Sequence, residues 1–191
     1  MIRLFIALNI PAEIKNEIIR RRDQIISSVL ENSENKIFTP LKWEPEEKLH
    51  LTLKFIGEVK EELLDKIIGS IGFIQNYKPI HCAFSGFGLF FRNNEPKILW
   101  AGFNVNKKLF ELVNQLNKNF IKFSIQPEHR KFKAHITLLR IKNGLDKDLI
   151  NGFEKFKMNE IPFFADEVTL FKSDLLQSGS VYTPLRTFKL V

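Results

Sequence analysis

Leu49-His50-Leu51-Thr52-Leu53-Lys54-Phe55-Ile56-Gly57 is the stretch on which the reading turns, together with a second copy of its core, His135-Ile136-Thr137-Leu138, 85 positions later. Each copy alternates an aliphatic residue with a polar one, which is the period of a β-strand, and in the first copy Gly57 stops the run. Side chains at i and i+2 share a strand face. Leu51 and Leu53, then Ile136 and Leu138, therefore face a core, while each histidine points with its threonine toward something polar. The chain holds six threonines in 191 residues, so a chance recurrence of His-x-Thr in two of four histidines is about 0.5%. A duplication at half the chain length implies two related lobes about a pseudo-twofold axis, facing one cleft.

Working outward, Leu4 to Ile10 reads as a strand ending at Pro11, and Ala12 to Leu30 as a helix with Ile14, Ile18, Ile25 and Leu30 near helical spacing. Its run Arg20-Arg21-Arg22 is a solvated helix face. Helices are expected at Glu61 to Ile71, Lys107 to Phe120 and Leu145 to Phe156. Strands are expected at Ile80 to Phe91, Ile98 to Val105, Val168 to Phe171 and Tyr182 to Leu190. The order gives an α+β or mixed α/β class, with sheets each covered by helices on one face.

Lys plus Arg total 29 against 22 Asp plus Glu, a net charge of +7, with a pI near 9.5. That balance favours polyanions such as RNA. With 44% hydrophobic and 27% charged residues the composition excludes a disordered tail, a fibre and a coiled coil. The single cysteine, Cys82, can form neither an internal disulfide nor a thiolate zinc site, which points to a reducing, cytoplasmic setting. The apolar run Leu4 to Leu8 is too short for a signal sequence, and no stretch reaches the ~18 residues of a membrane span. No apolar stripe is left over for a partner, so a monomer is expected.

Two imidazoles on facing strands suit acid/base chemistry at a phosphodiester: one removes a proton from the attacking group, the other protonates the departing oxygen. The threonine hydroxyls would donate to nonbridging oxygens, and cations would stabilise charge in the transition state. Candidates are Arg130, Lys133, Arg140 and Lys54. Lys54, at i+4 from His50, is expected on its face; Arg140, at i+5 from His135, reaches the cleft only if the strand ends or bulges before it. His81, in an apolar stretch without a following threonine, reads as a structural residue, and His129 as a loop residue beside Arg130. No metal motif, nucleophile elbow or P-loop is present.

These residues carry a resemblance. The chain resembles the 2H phosphoesterase superfamily in its RNA 2′,3′-cyclic phosphodiesterase branch, the LigT-like or 2′-5′ RNA ligase family. The likeness runs through Arg3-Leu4-Phe5-Ile6-Ala7-Leu8, Leu49 to Val59, Leu99-Trp100-Ala101-Gly102, Arg130 to Arg140 and Val181-Tyr182-Thr183. It implies one bilobal domain over 1–191 with a central cleft, and metal-free, cofactor-free hydrolysis of a 2′,3′-cyclic phosphate end of RNA or a nucleotide to a 2′-phosphate. By position it implies His50 as proton donor, His135 as proton acceptor, Thr52 and Thr137 as phosphate ligands, and Arg140 as the arginine closing the second motif. Lys131 and Ala134 depart from expected prolines, and Lys133 from an arginine, which weakens bidentate recognition there. Two other readings stay open: a non-catalytic module holding single-stranded RNA ends through residues such as Trp43, Phe55 and Arg130, and 2′-5′ joining of RNA by the same groups.

Overall fold

The computed structural model describes residues 1–32, 41–128, 130–142, 144–177 and 179–191. His129 lies outside the described residues. The elements used below are β1 (Ile2–Leu8), α1 (Ala12–Glu31), β2 (Leu51–Val59), α2 (Leu64–Ser70), β3 (Ile80–Arg92), β4 (Glu95–Val105), α3 (Lys107–Phe120), β5 (His135–Arg140), α4 (Lys147–Lys155), β6 (Ile161–Ala165), β7 (Glu167–Leu176) and β8 (Gly179–Lys189).

Two four-stranded antiparallel sheets result, in the orders β2-β1-β7-β8 and β5-β4-β3-β6. The first is called sheet A and the second sheet B. Each places its His-x-Thr strand at an edge, and those two edges, β2 and β5, lie against one another. The pseudo-symmetry expected from the repeat is therefore present in the strand order. The lobes are not, however, successive halves of the chain. Sheet A combines the first two strands with the last two, and sheet B is built from the middle.

One core joins the sheets. Leu4, Ile6, Leu8, Leu51 and Leu53 from sheet A pack in the same cluster as Phe84, Phe103, Ile136 and Leu138 from sheet B, and Leu109, Leu112, Leu116 and Phe120 of α3 close over it. Burying each large aliphatic contributes about 1.5–3 kcal/mol. The N-terminal part of α1 (Ile14, Ile18) belongs to that cluster, while Ile25 joins Leu149 and Phe153 of α4 over Leu99 and Leu139. The arginine run is less free than expected: Arg20 and Arg21 pair with Glu17, and Arg22 lies 4.7 Å over the Trp43 ring.

Strand β6, Ile161–Ala165, is absent from the sequence reading. Its second residue is Pro162, which reads as a break, and Phe164 is 63% exposed. As an edge strand it tolerates the missing N–H and shows no clean alternation.

Candidate active site

Both motifs begin at a strand edge. Register pairs His135 with Gly102 and Thr137 with Trp100, so all four lie on one face of sheet B, while Ile136 faces the core opposite Ala101. In sheet A, Thr52 lies opposite Ala7. Both threonines and both histidines are half-buried.

A β-bulge follows each motif at the same place. In β2, Ala7 faces Thr52 but Ile6 faces Lys54; in β5, Trp100 faces Thr137 but Leu99 faces Leu139. Leu53 and Leu138 are the extra residues, equivalent in the two copies, and each shifts the alternation by one. The shift corrects one expectation: Lys54 does not share the face of His50. It is 2% exposed on the core side, and its Nζ donates to the Gln126 carbonyl at 2.8 Å. Phe55, 55% exposed, takes the open face instead, 6.2 Å from the Phe5 ring. The same shift returns Arg140 to the face of His135, opposite Ile98, with its Nε 3.4 Å from Glu44 Oε1.

His135 Nδ1 lies 2.8 Å from the Lys133 carbonyl oxygen. A carbonyl only accepts, so that nitrogen carries the hydrogen and neutral His135 keeps its lone pair on Nε2. The ring of His50 makes the corresponding bond to the Lys48 backbone, again two residues earlier. The surroundings differ. His50 stacks on Phe5 at 4.9 Å and meets Tyr182 edge-on at 5.3 Å. His135 meets Phe90 edge-on at 4.9 Å, with Trp100 at 6.4 Å.

Burial pushes the His50 imidazole down to about 4, against its carbonyl bond, with Lys15 and Arg140 adding to the depression. Burial also lowers His135, helped by Lys133 and Arg140. Arg140 thus contributes, as the smallest of the causes, to the depression of both rings. Such depression leaves two neutral imidazoles beside positive charge, a setting that accepts an anion and holds protons weakly until one arrives.

The indole of Trp100 lies across Gly88 and Gly102, where an added Cβ would come within 2.3 and 2.7 Å of it. Lys133 Nζ sits 3.9 Å over that ring. Lys133 thus flanks His135, by its carbonyl and by its amine. Arg130 is exposed in the segment ahead of β5. Trp43 bridges to Leu139 and contacts Phe153, a packing role. His81, expected as a structural residue in an apolar run, is exposed beside Phe164, on the same face of sheet B as His135. Sequence reasoning gave Phe5 and Tyr182 no site role: they lie one and three strands from β2 in sheet A and meet His50 only through the register.

The family described as LigT like Phosphoesterase matches residues 8–100 and 104–182. The chain belongs to the LigT-like phosphoesterases. Among relatives, one from Methanocaldococcus jannaschii named RNA 2′,3′-cyclic phosphodiesterase is 30% identical over 96% of this chain and 98% of its own. Another of that name, from Methanothermobacter thermautotrophicus, is 26% identical over 99% of both. The crystal structure of Escherichia coli LigT complexed with 3′-AMP superposes with a TM-score of 0.72 at 25% identity, covering 99% of this chain and 97% of that one. As a LigT-like phosphoesterase, the protein has an α+β architecture, and both His-x-Thr motifs fall within the matched residues.

Proposed function

We infer that this LigT-like phosphoesterase is an RNA 2′,3′-cyclic phosphodiesterase, opening a 2′,3′-cyclic phosphate end to a 2′-phosphate by metal-free two-histidine catalysis. The observation that carries the reading is the matched pair of His-x-Thr motifs at facing sheet edges, each imidazole held through one nitrogen by the backbone two residues before it. The names of its relatives, and the nucleotide bound to Escherichia coli LigT, support RNA ends as the substrate class.

In this mechanism Nε2 of His135 takes a proton from water as its oxygen attacks phosphorus. The P–O3′ bond breaks, its electron pair goes to O3′, and His50 protonates that oxygen. The phosphate remains on O2′. Thr52 and Thr137 donate to nonbridging oxygens, and Arg140 neutralises the charge that grows on them. In this mechanism the reaction uses neither metal nor nucleotide cofactor. A strand bearing a 5′-hydroxyl in place of water would be joined 2′-5′ by the same groups. The whole chain, 1–191, acts as one bilobal monomer. A single cysteine, Cys82, free and buried, accords with a reducing cytoplasm.

The deciding experiment is product analysis on 2′,3′-cyclic nucleotides and cyclic-ended oligonucleotides, with and without EDTA. A 2′-phosphate product unaffected by chelation is expected. A 3′-phosphate product, or loss of activity that added metal restores, overturns the mechanism. RNA binding without conversion returns the protein to the non-catalytic reading.

A further inference from the structure

Beyond the catalytic centre, the face of sheet B that carries His135 continues across three more strands. Register places Asn104 opposite Ala83, Pro162 opposite Ala83, and Phe164 opposite His81, all on that face. Two cavities follow one another along it. The first, of about 440 Å³, opens where β5 stops covering the edge of β4, and Ser85, Trp100, Asn104, Phe110, Phe132 and Lys133 line it. The second, of about 730 Å³, lies past Asn104 and includes Lys78, His81, Asn106, Lys108 and Phe164. From His135 to Phe164 is three strand spacings across and about five residues along, a span of about 20 Å.

We propose that this face is a track for single-stranded RNA leading away from the cyclic end, so that the enzyme favours oligonucleotides over free cyclic nucleotides. The proposal rests on the phosphodiesterase reading and extends its site. Continuity with the catalytic centre favours a polymer, because the second cavity lies beyond the first along the same face. Aromatic surfaces recur along the way. Phe110 and Phe132 meet edge-on at 5.8 Å beside the first cavity, and Phe164 stands exposed against His81, ring centroids 5.3 Å apart, beside the second. Every base presents a π-face, so such platforms bind without reading sequence. Lys133 supplies a cation at the first cavity, Lys78 and Lys108 at the second. The carboxylates nearby are Glu160, engaged by the Asn104 amide, and Glu13 and Asp166, which line the second cavity. The lysines outnumber the carboxylates lining the two cavities, and the phosphates run along them.

The test compares kcat/KM for a 2′,3′-cyclic mononucleotide and for di- and hexaribonucleotides ending in the same cyclic phosphate. The hexanucleotide is expected to exceed the mononucleotide by about 10-fold, the worth of one or two stacked bases. Phe164→Ser with Lys108→Glu removes that gain and leaves the mononucleotide rate unchanged. Both sites are exposed, and an acidic residue in the first turn of α3 favours the helix. No length dependence in the wild type, or a gain that survives in the variant, overturns the track. Failure to convert any cyclic substrate rejects the phosphodiesterase reading instead. Fluorescence anisotropy with a labelled hexaribonucleotide then decides the track separately: weaker binding and a shallower salt dependence in the variant support it, and equal binding refutes it.

Discussion

Burial holds His50 near 4, far below the ordinary 6.5, so the folded protein binds a proton there less readily than the unfolded chain does. The associated stability is complete above pH 6.5 and is lost as pH falls through the folded value, about 3 kcal/mol in all. Urea unfolding at pH 7.5 and 4.5 is expected to show a smaller acid loss in His50→Gln than in the wild type; equal losses would contradict the burial argument. His135 is also depressed, so kcat/KM, which reports the free enzyme, is expected to peak on the acid side of 6.5, with limbs belonging to the pair. Both imidazoles are depressed, so the donor role of His50 requires bound phosphate to raise it more than His135. NMR titration of the two imidazoles with and without a 2′-phosphorylated nucleoside measures this, and a larger rise at His135 would exchange the roles. His50→Ala and His135→Ala are each expected to lower turnover by ~10² to 10⁴, with the double variant little worse than the poorer single one.

The paired bulges at Leu53 and Leu138 determine which cations meet substrate. Lys54→Met is expected to keep activity within about 3-fold while losing its charged hydrogen bond to Gln126, worth ~1.5–3 kcal/mol; Arg140→Ala is expected to lose activity by at least ~10-fold. Rates on a cyclic mononucleotide and urea midpoints separate the two effects, and the reverse order would place Lys54 in the site after all. Gly102→Ala would drive Trp100 from beneath Lys133, with ~1–3 kcal/mol of overpacking and a slower enzyme. The strands and their inward faces are legible in the sequence because Leu51, Leu53, Ile136 and Leu138 follow the period of two. The bulges are not, since one extra residue in a ladder leaves no compositional mark. Hence strict strand parity puts Lys54 on the face of His50 and turns Arg140 away from that of His135. The edge strand β6 is hidden for a related reason: Pro162 and exposed Phe164 break the pattern that identifies buried strands.

At the scale of the molecule, the repeat announces two related lobes and a shared site, but it carries no information on how the chain is shared between them. That requires pairing, and β1 finds β7 across about 160 residues. The shared core of the two sheets makes their union cooperative, so a chain ending at Leu176 is expected to lose the near-UV signature of the whole molecule along with sheet A; a native spectrum from that chain would show the sheets to be independent. The interleaving of the sheets also sets an order on the ribosome. Strands β3 to β6 emerge as a complete set, whereas the apolar β1 must wait for residues 167–176, roughly 5 to 20 s of translation after β2 is made. During that interval β1, with Leu4, Phe5 and Ile6, has an unpaired edge on the nascent chain, a natural target for chaperones, and sheet A is complete only once β7 and β8 have been made.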